Sequence, residues 1–143
     1  MPASTRFAVS VHLLTALAYN DGKPLASEVI AGSASTNPAV VRRLFSHLAH
    51  AGLVRAQLGQ GGGFVLAKPA AEITLLQIFR AVEDLDLFPR HRTPPSADCI
   101  IGRHMLAALE APLARVERAF LAELGRTSLA DIVADVRDRM ALV

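Results

Sequence analysis

Two adjacent arginines, Arg42 and Arg43, lie one turn beyond a helix-start signal in the sequence. The signal is Asn37-Pro38, because Asn caps free helix amides and Pro is tolerated at the first helical position. A guanidinium carries its donors in a planar fork that fits a phosphate or the edge of a guanine base. Arginines on the exposed first turns of a helix therefore favour contact with nucleic acid. The alternative is an ordinary solvated helix face.

A glycine-rich run occupies residues 59–63, between two short strand-like runs at residues 53–57 and 64–67. This order predicts a β-hairpin with a loose tip, whose glycines allow positive φ and close approach to another backbone. Arg55 and Lys68 flank the hairpin, where cations can neutralise phosphates. A nucleotide-binding phosphate loop is excluded, because such loops run from a strand into a helix and carry Gly-Lys-Ser/Thr.

Cys99 is the single cysteine, which excludes an internal disulfide. We expect Asp98 or Ser96 to cap the following helix and to place Cys99 in its first turn, where helix amides lower the pKa of a thiol. Arg103 follows one turn later and adds to this effect, whereas Asp98 opposes it. Such a thiol can sense oxidants through its own oxidation or through a reversible modification of its sulfur. The alternative is a small apolar residue at a helix start.

Two further interpretations of Cys99 have weaker support. His91 and His104 are the nearby candidates for a partial metal site, but zinc and iron–sulfur sites need three or four ligands. A cysteine nucleophile needs a histidine and an acid partner, and none can be assigned. We therefore predict no enzyme, no metal and no cofactor.

Apolar residues at helical spacing predict the elements that hold these groups. A helix over Arg6–Tyr19 and a short one over residues 27–31 precede the helix that follows Asn37 and stops at Gly52. The first of these helices is expected to place four residues on one apolar face: Phe7, Val11, Leu14 and Ala18. The third is expected to bury another four: Val41, Leu44, Phe45 and Leu48.

The segment after the hairpin begins with a capping-box pattern. Thr74 is followed three residues later by Gln77, which predicts a helix from Thr74 to about Glu83. Residues 85–97 contain three prolines and predict a connecting loop.

A long helix is predicted over residues 99–124, and Pro112 is expected to kink it. Thr127 is expected to cap a final helix that reaches about Met140. The long helix carries an apolar seam with the spacing of a helix that packs on another helix. The seam comprises Leu106, Leu109, Leu113, Val116 and Phe120.

The order of elements predicts a mainly α fold: a winged helix-turn-helix of three helices plus a β-hairpin wing, with a long C-terminal dimerisation helix. Residues 1–84 would form the DNA-binding domain, residues 85–98 a connecting loop, and residues 99–143 the dimerisation helix and final helix. The distribution of charge agrees with this division. Residues 1–68 hold six Lys or Arg and two Asp or Glu, whereas residues 69–143 hold nine Lys or Arg and eleven Asp or Glu.

Composition narrows the class of protein further. The chain is 52% hydrophobic and 20% charged, which is too apolar for a disordered protein. No stretch approaches the roughly 20 apolar residues of a membrane span, and no signal peptide opens the chain. We expect a soluble cytoplasmic protein.

Six segments together resemble the Rrf2 family of bacterial winged-helix regulators, over residues 7–132. They are residues 37–44, 51–54, 59–67, 73–76, 99–102 and 127–132. The resemblance implies a homodimer whose long helices pair across the two-fold axis, with recognition helices about 34 Å apart. It also implies repression at a pseudopalindromic site in double-stranded DNA, base reading by Arg42, and a glycine wing in the minor groove.

Two departures from the family pattern affect these expectations. Leu58 stands where family wings often carry Arg, and one cysteine replaces the three closely spaced cysteines of iron–sulfur members.

The predicted function is a sequence-specific DNA-binding transcription regulator, a dimeric repressor responsive to redox through Cys99. The alternative is a winged-helix assembly module that binds proteins only. The predicted DNA contacts are Ser35, Thr36, Asn37, Ala39, Arg42, Arg43, Arg55, Gly59, Gln60, Gly61, Gly62 and Lys68.

Overall fold

The computed structural model describes residues 4–142, which form six α-helices and one antiparallel hairpin. This order confirms the predicted mainly α fold, with three helices followed by a hairpin. Within these residues, no helix combines the length and the apolar composition that a bilayer crossing requires. The elements are α1 (Arg6–Tyr19), α2 (Ser27–Ser33), α3 (Pro38–His50), β1 (Val54–Gln57), β2 (Gly63–Leu66), a 3-10 turn (Ala70–Glu72), α4 (Leu75–Val82), α5 (Ile100–Leu124) and α6 (Leu129–Ala141).

The core forms around α1, α3 and α4. All four residues predicted to be the inner face of α3 are buried, and each such side chain contributes about 1.5–3 kcal/mol on burial. Phe45 of α3 stacks on Phe64 of β2, with ring centroids 4.2 Å apart and planes 14° apart. This contact joins the helix that carries the two arginines to the hairpin.

The predicted apolar face of α1 lies at the edge of its most buried face. Phe7, Val11 and Ala18 are half-buried and pack against the core, whereas Leu14 is buried together with Ser10, Leu13 and Leu17. The helix is apolar around most of its circumference because it packs on α3, α4, α6 and β2. Spacing alone therefore could not select the innermost stripe.

The first turn of α1 is capped from another helix. Thr5 precedes α1 but makes no capping hydrogen bond with its side chain. Instead, one carboxylate oxygen of Glu83 accepts from the Phe7 amide at 3.1 Å, and the other accepts from Arg6 Nη2 at 3.2 Å. Glu83 thus satisfies a helix-end amide that has no partner within its own helix.

The hairpin is anchored to the loop between α1 and α2. The Phe64 amide donates to the Leu25 carbonyl at 2.8 Å, and the Leu25 amide donates to the Phe64 carbonyl at 3.1 Å. A Cβ on Gly63 would lie 2.3 Å from the Leu25 carbonyl oxygen, which no real side chain tolerates. Gly63 therefore allows the close approach of two backbones at the base of the hairpin.

Helix α4 begins as predicted, and α6 does not. Thr74 and Gln77 form a reciprocal capping box at 3.2 and 3.0 Å. The prediction that Thr127 caps α6 is wrong, because Ser128 forms a capping box with Asp131. The Thr127 carbonyl instead accepts from the Leu75 amide at 3.0 Å, which ties the start of α6 to the start of α4.

Helix α6 packs on α1 and on the 3-10 turn, with Leu129 buried in the main core. Helix α5 contacts chiefly α4, and it continues through Pro112 as one uninterrupted helix. The proline leaves one backbone hydrogen bond of that helix unmade.

We predict that Glu83→Ala lowers the free energy of unfolding by about 1–2 kcal/mol, because it removes the cap of α1. The measurement is urea denaturation followed by circular dichroism. Glu123→Ala is the matched control, since Glu123 makes only an exposed pair with Arg126 at 3.3 Å and should change stability by less than about 0.5 kcal/mol. Equal losses in the two variants would show that Glu83 has no capping role.

Candidate nucleic-acid interface

Helix α3 presents the two arginines on a face that its core contacts leave exposed. The Asn37 side chain accepts from the Ala39 amide at 2.8 Å, and Pro38 occupies the first helical position, as predicted. Because one face of α3 is fully buried, the helix is fixed in place. The exposed residues on its other side are Ala39, Arg42, Arg43, Ser46, His47, Ala49 and His50.

Arg42 makes an ion pair with Glu28 of α2, with Nη1 and Oε1 3.5 Å apart. Both side chains are more than half exposed, so the pair is worth about 0–1 kcal/mol and exchanges readily for another anion. Arg43 is exposed and, within residues 4–142, makes no ion pair. Glu28 was not predicted at this site, because no local pattern in the sequence relates it to a residue on the next helix.

The segment before α3 presents hydroxyl groups, rather than free backbone amides, to an anion. The Ser35 amide donates to the Gly32 carbonyl at 3.3 Å, and the Thr36 amide donates to Ala31 at 3.0 Å. Ser35 adopts a positive φ of 51°, which forms the tight connection from α2. The free amides expected at this helix end are thus engaged, and an anion here would meet the Ser35 and Thr36 side chains.

The tip of the hairpin is exposed and carries no cation. Gly59 and Gly61 take φ values of +99° and +74°, which favour glycine. A Cβ on Gly62 would lie 2.1 Å from the Gln57 carbonyl oxygen, so the turn closes tightly there. Leu58 is 91% exposed at the position where a cation was expected.

The structure brings Arg55 and Lys68 together, but not with the arginines of α3. Both line a shallow concavity of about 320 Å³ beside the C-terminal end of α1. Arg55 pairs with Val65 across the hairpin, while the neighbouring Ala56 pairs with Phe64, which faces α3. Because successive strand residues point to opposite faces, Arg55 lies on the face away from α3.

Cys99 occupies the N-cap position of α5 without a capping hydrogen bond from its side chain, so the prediction that Asp98 or Ser96 caps this helix is wrong. The Ser96 hydroxyl accepts instead from the Asp98 amide at 3.3 Å. The thiol is exposed, and the backbone amides of Gly102 and Ile101, which favour the thiolate, hold the pKa of Cys99 below its ordinary value. Cys99 thus lies at the start of α5, where backbone amides stabilise a thiolate.

The loop that precedes Cys99 is held against the first turn of α5. Arg103 Nε donates to the Ala97 carbonyl at 2.9 Å, so this cation fixes the loop. A Cβ on Gly102 would lie 2.3 Å from the Ser96 carbonyl oxygen. A side chain at residue 102 would force the two segments apart and displace the thiol.

The predicted dimer face of α5 remains open to solvent in the single chain. Within the part of α5 that the structure describes, no residue is fully buried. Phe120 contacts Phe79 of α4 edge-on, with centroids 5.4 Å apart, yet remains 41% exposed. Along the seam, Leu106, Val116 and Phe120 are exposed, and Leu109 and Leu113 are half-buried.

The sequence matches a family model described as Rrf2, iron-dependent transcriptional regulators, over residues 3–135. YwnA of Bacillus subtilis, an HTH-type transcriptional regulator by name, is 36% identical over 131 residues, which cover 91% of this chain and 96% of YwnA. The HTH-type transcriptional regulator IscR of Cereibacter sphaeroides is 40% identical over 81 residues, 55% of this chain and 52% of that protein.

Solved structures share the fold. A crystal structure described as a DNA-binding protein superposes with a TM-score of 0.72 at 35% identity, covering 89% of this chain and 97% of that one. CymR, the global cysteine regulator of Bacillus subtilis, superposes with a TM-score of 0.70 at 24% identity, covering 94% and 97%.

Iron dependence in the family description raises the question of a metal or cluster site. Iron–sulfur clusters are held by four ligands, mostly Cys thiolates, and this chain has one cysteine. Among residues 4–142, no three His, Cys, Asp or Glu lie close enough to hold a metal ion. The donors present therefore do not fit an iron site. The match over most of the chain, with the winged-helix fold, nevertheless establishes that the chain belongs to the Rrf2 family and is a DNA-binding transcription regulator.

Proposed function

We propose that the protein is a homodimeric repressor that binds a pseudopalindromic site in double-stranded DNA, with α3 of each subunit in the major groove. The observation that carries this proposal is the exposed face of α3, where Arg42 and Arg43 project from a helix whose opposite face is buried. A fixed helix with exposed forked donors suits the reading of base edges.

The remaining predicted contacts fall into three groups around α3. The first comprises Ser35, Thr36, Asn37 and Ala39 at the helix start, which approach the DNA backbone. The second comprises Gly59, Gln60, Gly61 and Gly62 at the hairpin tip, which approach the minor groove. Arg55 and Lys68 form the third, and they neutralise phosphates at the side of the hairpin away from α3.

A second copy of the chain covers the seam of α5. Apolar residues recur there at three- and four-residue spacing, and the single chain leaves most of them in contact with water. Burial of such a stripe drives helix pairing. A two-fold dimer then presents two recognition helices to one face of the DNA.

The exposed face of α3 also distinguishes DNA binding from the alternative of a protein-only assembly module. An assembly module would present a contiguous apolar patch on this helix. The exposed large apolar residues of the described chain lie instead on other elements, such as α5, α6 and the hairpin tip. Arginine and histidine occupy the face of α3.

Selection of bound DNA from a random pool tests the proposal as a whole. We expect a pseudopalindromic consensus whose half-sites lie about 10 base pairs apart from centre to centre. Phe120→Glu should give monomers in analytical ultracentrifugation and should weaken binding to the full site far more than to a half-site. Recovery of unrelated sequences would contradict specific readout, and an unchanged dimer would contradict the role of α5.

Arg42→Ala should cost about 1–3 kcal/mol of binding free energy at the selected site if Arg42 reads a base. The measurement is fluorescence anisotropy with the selected site and with a random duplex of equal length. Arg126→Ala is the matched control, because Arg126 is exposed and pairs only with Glu123. A similar loss on both duplexes would assign Arg42 to phosphate contact, and no loss on either would remove it from the interface.

We also propose that Cys99 makes DNA binding responsive to peroxides. The thiolate attacks one peroxide oxygen, an S–O bond forms as the O–O bond breaks, and the leaving oxygen departs as water after protonation, which gives a sulfenic acid. The exposed thiol, the lowered pKa of Cys99 and its place at the N-cap position, directly before α5, support this role.

Because its pKa is lowered, Cys99 should be alkylated by iodoacetamide with a pH midpoint below that of N-acetylcysteine. Mild peroxide should reduce affinity for the selected DNA in the wild-type protein and leave Cys99→Ser unaffected. The measurements are mass spectrometry for alkylation and anisotropy for DNA. Equal responses of the two proteins to peroxide would exclude Cys99 from regulation, whatever its pKa.

A further inference from the structure

We propose that a groove between α1, α2 and α6 binds a small aromatic molecule that carries an anionic group. We call it the α1–α2–α6 groove, and it has a volume of about 650 Å³. Pockets for small molecules typically measure about 300–1,000 Å³. The groove lies away from the exposed face of α3 and from Cys99, so neither the DNA contacts nor the thiol accounts for it.

The walls of the groove are apolar side chains from three helices. Val11 and Ala16 come from α1, Val29 from α2, and Val136 and Met140 from α6. Val29 and Met140 are 62% and 54% exposed, so the described chain leaves this surface in water. A flat hydrocarbon ring that enters the groove would bury apolar surface on three sides.

The polar side chains that line the groove are hydroxyls, an amide and an imidazole. His12 Nε2 and Ser33 Oγ lie 2.9 Å apart across the α1–α2 wall, and Tyr19 lies at the same wall of α1. Among the described residues that line the groove there is no Asp or Glu. The lining itself therefore does not repel an uncharged or anionic molecule.

Arg137 is a cation beside Tyr19, a residue that lines the groove, and it favours an anionic ligand. The Arg137 guanidinium lies 5.4 Å from the centroid of the Tyr19 ring, and one of its nitrogens lies 3.5 Å from Asp21. A guanidinium has five N–H donors, more than one exposed carboxylate occupies. An aromatic anion would stack in the groove and place its charge against Arg137, where it would compete with Asp21 for the guanidinium.

The groove shares a wall with the helix-turn-helix. Val29 and Ile30 line it, and the adjacent Glu28 pairs with Arg42 of α3. A molecule wedged between α6 and α2 would therefore alter the position of α2 and of the Arg42 pair. This effect of the bound molecule on Arg42 rests on the proposed DNA-binding role of α3, whereas the proposal that the groove binds a molecule does not.

The binding test uses 1-anilinonaphthalene-8-sulfonate, an aromatic anion, with the full-length protein. We expect its fluorescence to rise and to saturate at one probe per chain. Val136→Glu should weaken binding at least tenfold, and Leu142→Glu, a matched change at an exposed residue beyond the end of α6, should not. Val29→Glu supplies an independent second variant, and thermal unfolding verifies that each variant folds.

A second probe tests the chemical class. N-phenyl-1-naphthylamine has the same rings without the sulfonate. Arg137→Gln should weaken the sulfonate several-fold and leave the uncharged probe unchanged. Equal effects on both probes would overturn the anionic class. The site would be overturned if Val136→Glu and Val29→Glu both bound the probe as tightly as the wild-type protein. It would also be overturned if only Phe120→Glu lost binding, because the probe would then lie elsewhere.

The regulatory test uses thermodynamic reciprocity. If probe and DNA are coupled, saturating selected DNA must change the probe's Kd by the same factor by which the probe changes the Kd for DNA. We expect a factor of at least three, absent in Val136→Glu. Probe binding without coupling would overturn the regulatory role and leave the site. Failure of the chain to bind DNA at all would instead overturn the proposed function.

Discussion

The contact between Phe45 and Phe64 joins α3 to the hairpin, the two elements of the proposed DNA interface. The two rings stack with centroids 4.2 Å apart, and such pairs contribute about 0.5–1.5 kcal/mol beyond the area that they bury. Phe64 in turn exchanges two backbone hydrogen bonds with Leu25, so the hairpin, α3 and the loop before α2 form one unit. The spacing between α3 and the hairpin is therefore set by contacts within the chain.

The sequence predicted α3 well because several independent signals agreed there. Asn37 and Pro38 marked its start, Gly52 its end, and apolar spacing its buried face. The inner face of α1 was missed because apolar residues surround that helix. Tertiary contacts decided other details: the Thr127 carbonyl bonds to Leu75, which leaves Ser128 to cap α6.

The candidate site was predictable where it is local and unpredictable where it joins separate elements. Arg42 and Arg43 follow from one helix, and the structure places both on its exposed face. The pair of Arg42 with Glu28 connects two helices, and the separation of Arg55 from α3 depends on the register of the hairpin. No spacing along the chain encodes either relation.

Base reading requires a fixed helix and mobile side chains, and the chain provides both. Four buried residues hold α3, which reduces the ordering cost of binding. Arg42, in contrast, rests in an exposed ion pair worth little free energy, so a guanine or a phosphate can displace Glu28. In the proposed mode of binding, a change in α2 would act first on the pair of Arg42 with Glu28, since α3 itself is held by its core.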